Sequence, residues 1–237
     1  MNLRKSIPTH FVPVLIAVTM LLAATAYGAA PGITGPTFNL TAQASYISQP
    51  DGSAVYSWGY GCNGAPTGHL PTTIASFFCN SMQVPGPTLI VHENDTVTVN
   101  LVNNLPASAG NTSILFPGFQ VTATGGVVGL LTQEATPTKN TTCTAGSSSC
   151  VSYTFTASSP GTRAYYSGTQ GDLQVEMGLY GAIIVLPANV PASCDTGVHA
   201  SNTTAQGFWG ESDYRLAHAA YDHPQTCYAR EYLFQFS

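Results

Sequence analysis

Thr96 to Leu105 alternates with a period of two: Val97, Val99 and Leu101 fall on one side, Thr96, Thr98 and Asn100 on the other. Successive strand residues point to opposite faces, so the pattern predicts a strand with one face buried and one in water. Val151 to Ala157 repeats it, with Val151, Tyr153 and Phe155 set against Ser and Thr. Thr37 to Ser48 alternates more weakly through Phe38, Leu40 and Ala42, and Ser53 to Tyr60 carries Val55, Tyr56 and Trp58. Thr88 to His92 and Thr112 to Phe116 read as short strands, and Arg163 to Tyr166 as an extended aromatic segment. Leu179 to Leu186 is an apolar run rich in β-branched residues and bounded by Gly and Pro, the pattern of a buried strand. Gly178 and Gly181 bracket Leu179-Tyr180 and imply a tight turn into it.

The intervening stretches read as loops. Residues 29–36 are rich in Gly and Pro and are expected to fray, a long loop covers 61–83, and Ser167 to Asp172 and Gly125 to Gly129 are loops. Pro85-Gly86-Pro87 and Asn94-Asp95 mark sharp turns. Helical periodicity is nearly absent, with Ser212 to Ala220 offering only a weak short helix. Short strands at regular spacing with turn signals between them predict an all-β chain folded as a Greek-key β-sandwich.

Composition narrows the class. Charged residues make up 7%, against roughly 25% in an average soluble domain, while 44% of residues are hydrophobic, which excludes disorder driven by charge. The chain opens with Arg4 and Lys5, an apolar stretch from Phe11 to Ala24, and small residues at Ala24-Thr25-Ala26 and Ala26-Tyr27-Gly28. This is the pattern of a secretory signal peptide over residues 1–28, with a core shorter than the ~20 residues a membrane span needs. A secreted or periplasmic location follows, with no membrane attachment after cleavage. The remaining chain has four basic and eleven acidic residues, a formal charge of −7. It has no basic patch to neutralise phosphates, so nucleic acid is excluded as a partner.

All six cysteines, Cys62, Cys79, Cys143, Cys150, Cys194 and Cys227, follow the cleavage site. An even number in an exported chain predicts three disulfides, with 15 pairings open. Neighbour pairing is the expectation: Cys62 and Cys79 flank a Gly/Pro/Asn-rich loop, Cys143 and Cys150 flank a hairpin-like TAGSSS, and Cys194 and Cys227 close the tail. The absence of any CxxC argues against zinc.

Several motifs, in order, resemble the N-terminal plastocyanin-like (cupredoxin) domain of multicopper oxidases. QVPGPTLIVHENDTVTVNLVNNL (83–105) is similar to its opening strand-turn-strand. NTSILFPG (111–118) stands where such domains carry TSIHWHG. AYYSGT (164–169) and GLYGAIIV (178–185) resemble the second ligand motif, WYHSH, and the strand after it. AYDHPQTCYAREYLF (220–234) is similar to the linker into a second cupredoxin domain. The resemblance implies a cupredoxin-type sandwich over 29–190, then a linker and the first strand of a second cupredoxin domain over 191–237. That final apolar strand either continues into the second domain or docks back on the sandwich. The family's activity is copper-dependent substrate oxidation coupled to the reduction of dioxygen to water. Further cupredoxin domains of the same protein are the implied partners.

The resemblance also shows where this chain departs. The family places two HxH pairs on facing segments, because alternate residues of a strand project to one side and neutral imidazoles hold copper. Here the first pair is Leu115 and Pro117, the second Tyr166 and Gly168. A tyrosine binds metal only as phenolate, which its ordinary pKa of about 10 disfavours. His69, His92, His199, His218 and His223 include no HxH, and each reads as an ordinary surface or partly buried histidine. Cys194 and His199 are five apart, as in a blue-copper site, but Thr204 stands where that site has Met and no HCH occurs, so a disulfide accounts better for Cys194.

No other catalytic constellation stands out. GxSxG and HExxH are missing, and Glu134, Asp172 and Glu176 are isolated, the last two flanking the ligand-like loop. Five glycosylation sequons occur, at Asn39, Asn94, Asn111, Asn140 and Asn202. The expectation is copper at family level in the full-length protein, none for this chain alone, and no catalytic, cofactor-binding or metal-ligating residue. The alternatives are a stand-alone secreted binding module that uses the AYYSGTQ loop and lacks redox activity, or an enzyme with non-standard ligands.

Overall fold

The computed structural model describes residues 30–70, 79–139, 142–195, 216–228 and 231–236. The signal-peptide segment lies outside them, as do His199, Thr204, Asn140 and Asn202. Among the described residues twelve strands run in chain order: β1 (Gly32–Thr34), β2 (Thr37–Ser48), β3 (Ala54–Cys62), β4 (Gly68–Leu70), β5 (Leu89–His92), β6 (Thr96–Asn104), β7 (Thr122–Gly125), β8 (Val127–Val128), β9 (Gln133–Glu134), β10 (Cys150–Thr156), β11 (Gly161–Tyr166) and β12 (Tyr180–Leu186). They form one five-stranded sheet in the order β11-β12-β5-β1-β4, a second in the order β3-β2-β6-β10-β7, and the small hairpin β8-β9.

The alternating strands behave as their pattern requires. Val97, Val99 and Leu101 of β6, Val151, Tyr153 and Phe155 of β10, and Leu40 and Ala42 of β2 turn into one core. Leu89, Val91, Ile183 and Val185 of the first sheet meet them there. Fully burying each such side chain is worth roughly 1.5–3 kcal/mol. On the outer face of the second sheet the polar partners form a ladder: Asn100 Nδ2 donates to Asn39 Oδ1 at 2.8 Å, and Ser152 Oγ donates to Asn100 Oδ1 at 2.6 Å. This is the fold expected, an all-β sandwich of cupredoxin type.

β5 and β12 run parallel, Ile183 opposite Leu89 and Val185 opposite Val91, and are apolar on both faces. Their outward residues Ile90, Ile184 and Leu186 are buried in a second cluster with Ala30, against Leu70, Leu216, Ala217 and Leu233. The tail therefore lies over the outer face of the first sheet. Leu233 packs on this cluster, while residues 231–236 are extended without forming a ladder.

Some local expectations need correction. Thr112 to Phe116 is not a strand: Thr112 bridges to Ala135 and Leu115 to Tyr166, because the segment crosses from one partner to another. The expected frayed start contains β1, held by β5 and β4. β4 interrupts the long loop 61–83, β7 and β8 take up residues assigned to a loop at 125–129, and a helical turn, Gly171–Gln174, begins in the loop 167–172. Residues 216–220 are not helical. Gly178 makes the tight turn before β12 with a φ of 118°, a conformation costly for any side chain. The cysteines pair as Cys62–Cys79, Cys143–Cys150 and Cys194–Cys227.

Candidate functional site

The four positions that resemble copper ligands come together at one end of the sandwich. The Leu115 amide donates to the Tyr166 carbonyl at 2.8 Å, and the Tyr166 amide returns a bond to Leu115 at 3.3 Å. This bridge fixes the alternation on both segments. Ile114, Phe116, Tyr165 and Ser167 point inward and are buried. Leu115, Tyr166 and Gly168 are left part-exposed and Pro117 exposed on the opposite side. The backbone thus retains the arrangement that directs four alternate side chains outward.

The side chains on that framework do not fit copper. Leucine, proline and glycine supply no side-chain donor, and the one phenol supplies none of the imidazole nitrogens that hold copper. The space is also taken. A Cβ built on Gly168 lies 2.7 Å from Leu115 Cγ and 3.0 Å from both its methyls. Leu115 therefore packs onto the Gly168 backbone and fills the direction a side chain at 168 would take. Among the described residues no three His, Cys, Asp or Glu side chains converge. His69 sits on β4 opposite Ile33, and its Nδ1 is buried without a hydrogen-bond partner. His92 is exposed at a turn, 4.0 Å from Asp95, and His223 accepts a bond from the Gln225 amide. His218 lies in the tail.

Behind this face is a buried polar cluster that no sequence pattern signalled. Gln174, fully buried on its helical turn, accepts from Thr112 Oγ1 at 2.8 Å and from Ser167 Oγ at 2.6 Å through Oε1. Its Nε2 donates to the carbonyls of Asn111 at 2.7 Å and Ala109 at 3.5 Å. Carbonyls only accept, so this amide orientation is the one that satisfies all four partners. Thr169 Oγ1 donates to Glu134 Oε1 at 2.9 Å and lies 2.9 Å from Ser113 Oγ, while Asn111 Nδ2 donates to Glu134 Oε2 at 3.2 Å. The cluster pins the 109–115 segment, the 167–174 loop and β9 to one another. It also consumes the polar groups of the loop: Ser167 and Thr169 point inward, leaving few to meet a ligand. Asp172 and Glu176 stand exposed beside it.

Three tyrosines line the core beneath. Tyr60, Tyr153 and Tyr165 donate to the carbonyls of Ser113 (3.1 Å), Gln133 (2.8 Å) and Pro87 (2.6 Å). Burial disfavours the phenolate in each and raises its pKa above the ordinary tyrosine value. These hydroxyls are structural donors. Gln174 was missed because a single buried glutamine in a polar loop has the same one-dimensional signature as the exposed Gln170 four residues earlier.

No curated protein matches the chain. Among solved structures, a multicopper oxidase from Pseudomonas thermotolerans aligns with 67% of this chain and 31% of its own, at 19% identity and a TM-score of 0.46. A copper nitrite reductase from Nitrosomonas europaea aligns with 66% of this chain and 42% of its own, at 23% identity and a TM-score of 0.45. The chain thus spans about a third to two-fifths of the length of these structures. A sequence model of the multicopper oxidase family matches residues 70–190, half of the chain, and it is to the multicopper oxidase family that the chain belongs.

Proposed function

We propose that this chain is the N-terminal cupredoxin module of a secreted multicopper-oxidase-type protein, that it carries no copper ligands of its own, and that its role is structural. In the full-length protein the activity is copper-dependent oxidation of a substrate coupled to dioxygen reduction. This module contributes by packing against further cupredoxin domains of the same protein. The observation that carries the reading is the Leu115–Gly168 contact: hydrocarbon stands at one ligand position and fills the space that another would need. The three disulfides fit an exported chain. Ser167, Thr169 and Gln174 of the 167–174 loop bond internally, which favours the structural role over a stand-alone binding module.

Elemental analysis of the purified mature chain tests this directly. After exposure to excess Cu(II) and desalting, copper is expected well below one equivalent per chain. A full equivalent that is retained through desalting and lost when Tyr166 is replaced by Phe would overturn the reading.

A further inference from the structure

We propose that residues 216–228 and 231–236 form a strap, latched by Cys194–Cys227 over the outer face of the first sheet, that a dithiol reductant opens. Three observations carry this. The strap's apolar side chains, Leu216, Ala217 and Leu233, pack on Ile90, Ile184 and Leu186 in a cluster separate from the main core. Among the described residues no ladder joins the strap to either sheet. Its one bridge, Ala219 to Cys227, is internal, as are the bonds from the Ala220 amide to Thr226 and from the Tyr228 amide to His218. Two clefts of about 400 Å³ each run beneath it, one edged by Gln83, Pro85 and Phe234, the other by Thr162, Tyr221 and Tyr232.

The strap is joined to the sandwich through the disulfide, the apolar contacts and Glu231, whose carboxylate accepts from the Ala30 amide at 3.3 Å. Within the strap Glu231 also accepts from the Leu216 amide at 3.1 Å and from the Tyr228 hydroxyl at 2.9 Å. Local openings of this kind draw on far fewer contacts than global unfolding.

Cys227 is the partly exposed half of the bridge, whereas Cys194, Cys62 and Cys79 are buried. A thiolate of the reductant attacks Cys227 Sγ, and Cys194 leaves as a thiolate and takes up a proton. The reductant's second thiol then attacks its own sulfur in the mixed disulfide, releasing Cys227 as a thiol and leaving the reductant as a cyclic disulfide. Two electrons and two protons pass to the bridge. Release uncovers Ile90, Ile184 and Leu186, an apolar stripe along the two central strands.

The test uses the mature chain, a C194S/C227S variant, and an L233D variant with the latch intact. Both variants are expected to keep the near-ultraviolet circular dichroism of the buried tyrosines. Both should bind an apolar fluorescent dye about threefold more strongly, and chymotrypsin should cut the strap about tenfold faster. Timed alkylation under dithiothreitol should label Cys194 and Cys227 about tenfold sooner than Cys62 and Cys79. Unchanged dye binding and cleavage in both variants would overturn the strap, as would loss of the tyrosine signal in both. Labelling of Cys62 and Cys79 at the same rate or earlier would overturn the latch.

Discussion

Gly168 and Leu115 are 53 positions apart and read as two unrelated departures from a ligand motif, yet the fold makes them one contact. Gly168 does not adopt a left-handed conformation, and the atoms nearest a side chain placed there are those of Leu115. Gly168→Ala is expected to cost about 1–2 kcal/mol in the parent, the usual range for overpacking. In a Leu115→Ala background the same change should cost close to nothing. Urea denaturation of the four chains in a double-mutant cycle measures the coupling. Equal costs in both backgrounds would show that the contact carries no energy. The departures themselves were legible, because a motif missing its histidines shows which atoms are absent. That leucine occupies the vacated direction was not, since facing segments meet only in three dimensions.

At the scale of elements, legibility follows periodicity. β6 and β10 were plain in the sequence because each buries alternate side chains, and β12 because its apolar run is continuous. β1 and β4, three residues each, were not. β1 exists because β5 offers an edge, and β4 because β1 then offers the next one; neither segment carries a pattern to announce that. The Thr112 to Phe116 segment had the right residues for a strand but divides its backbone bonds between Ala135 and Tyr166. The helical turn Gly171–Gln174 is held by its last side chain, whose four partners lie on the 109–112 segment and Ser167. Gln174→Leu leaves two hydroxyls and two carbonyls without that partner in a buried site. It is expected to destabilise the domain by about 2–4 kcal/mol, a loss that a denaturant midpoint reads at unchanged slope. A loss under about half a kcal/mol would show that water replaces the amide without penalty.

For the whole molecule, the three core tyrosines link stability to alkaline pH. Each has its pKa raised by burial in the folded chain, while in the unfolded chain it returns to about 10. The folded state therefore holds more protons above pH 10, and stability falls as pH rises through that value. Below pH 10 the contribution is constant. Three such groups give a slope of up to about 4 kcal/mol per pH unit above pH 10. Tyrosinate absorbance should rise for these three only as the fold is lost, and a smooth titration of all tyrosines with the core intact would contradict it.

The parallel ladder at the centre of the first sheet bears on how the protein is made. It joins Ile33 to Leu89 and Leu89 to Ile183, residues 56 and 94 positions apart. Contacts of such long range form slowly, because a large loop must close before any of them is rewarded. Nothing short of a polypeptide reaching Leu186 can complete that sheet. A chain emerging from a ribosome or a translocation pore stays open until its last strand arrives, and that strand must then slot in beside one made almost a hundred residues earlier.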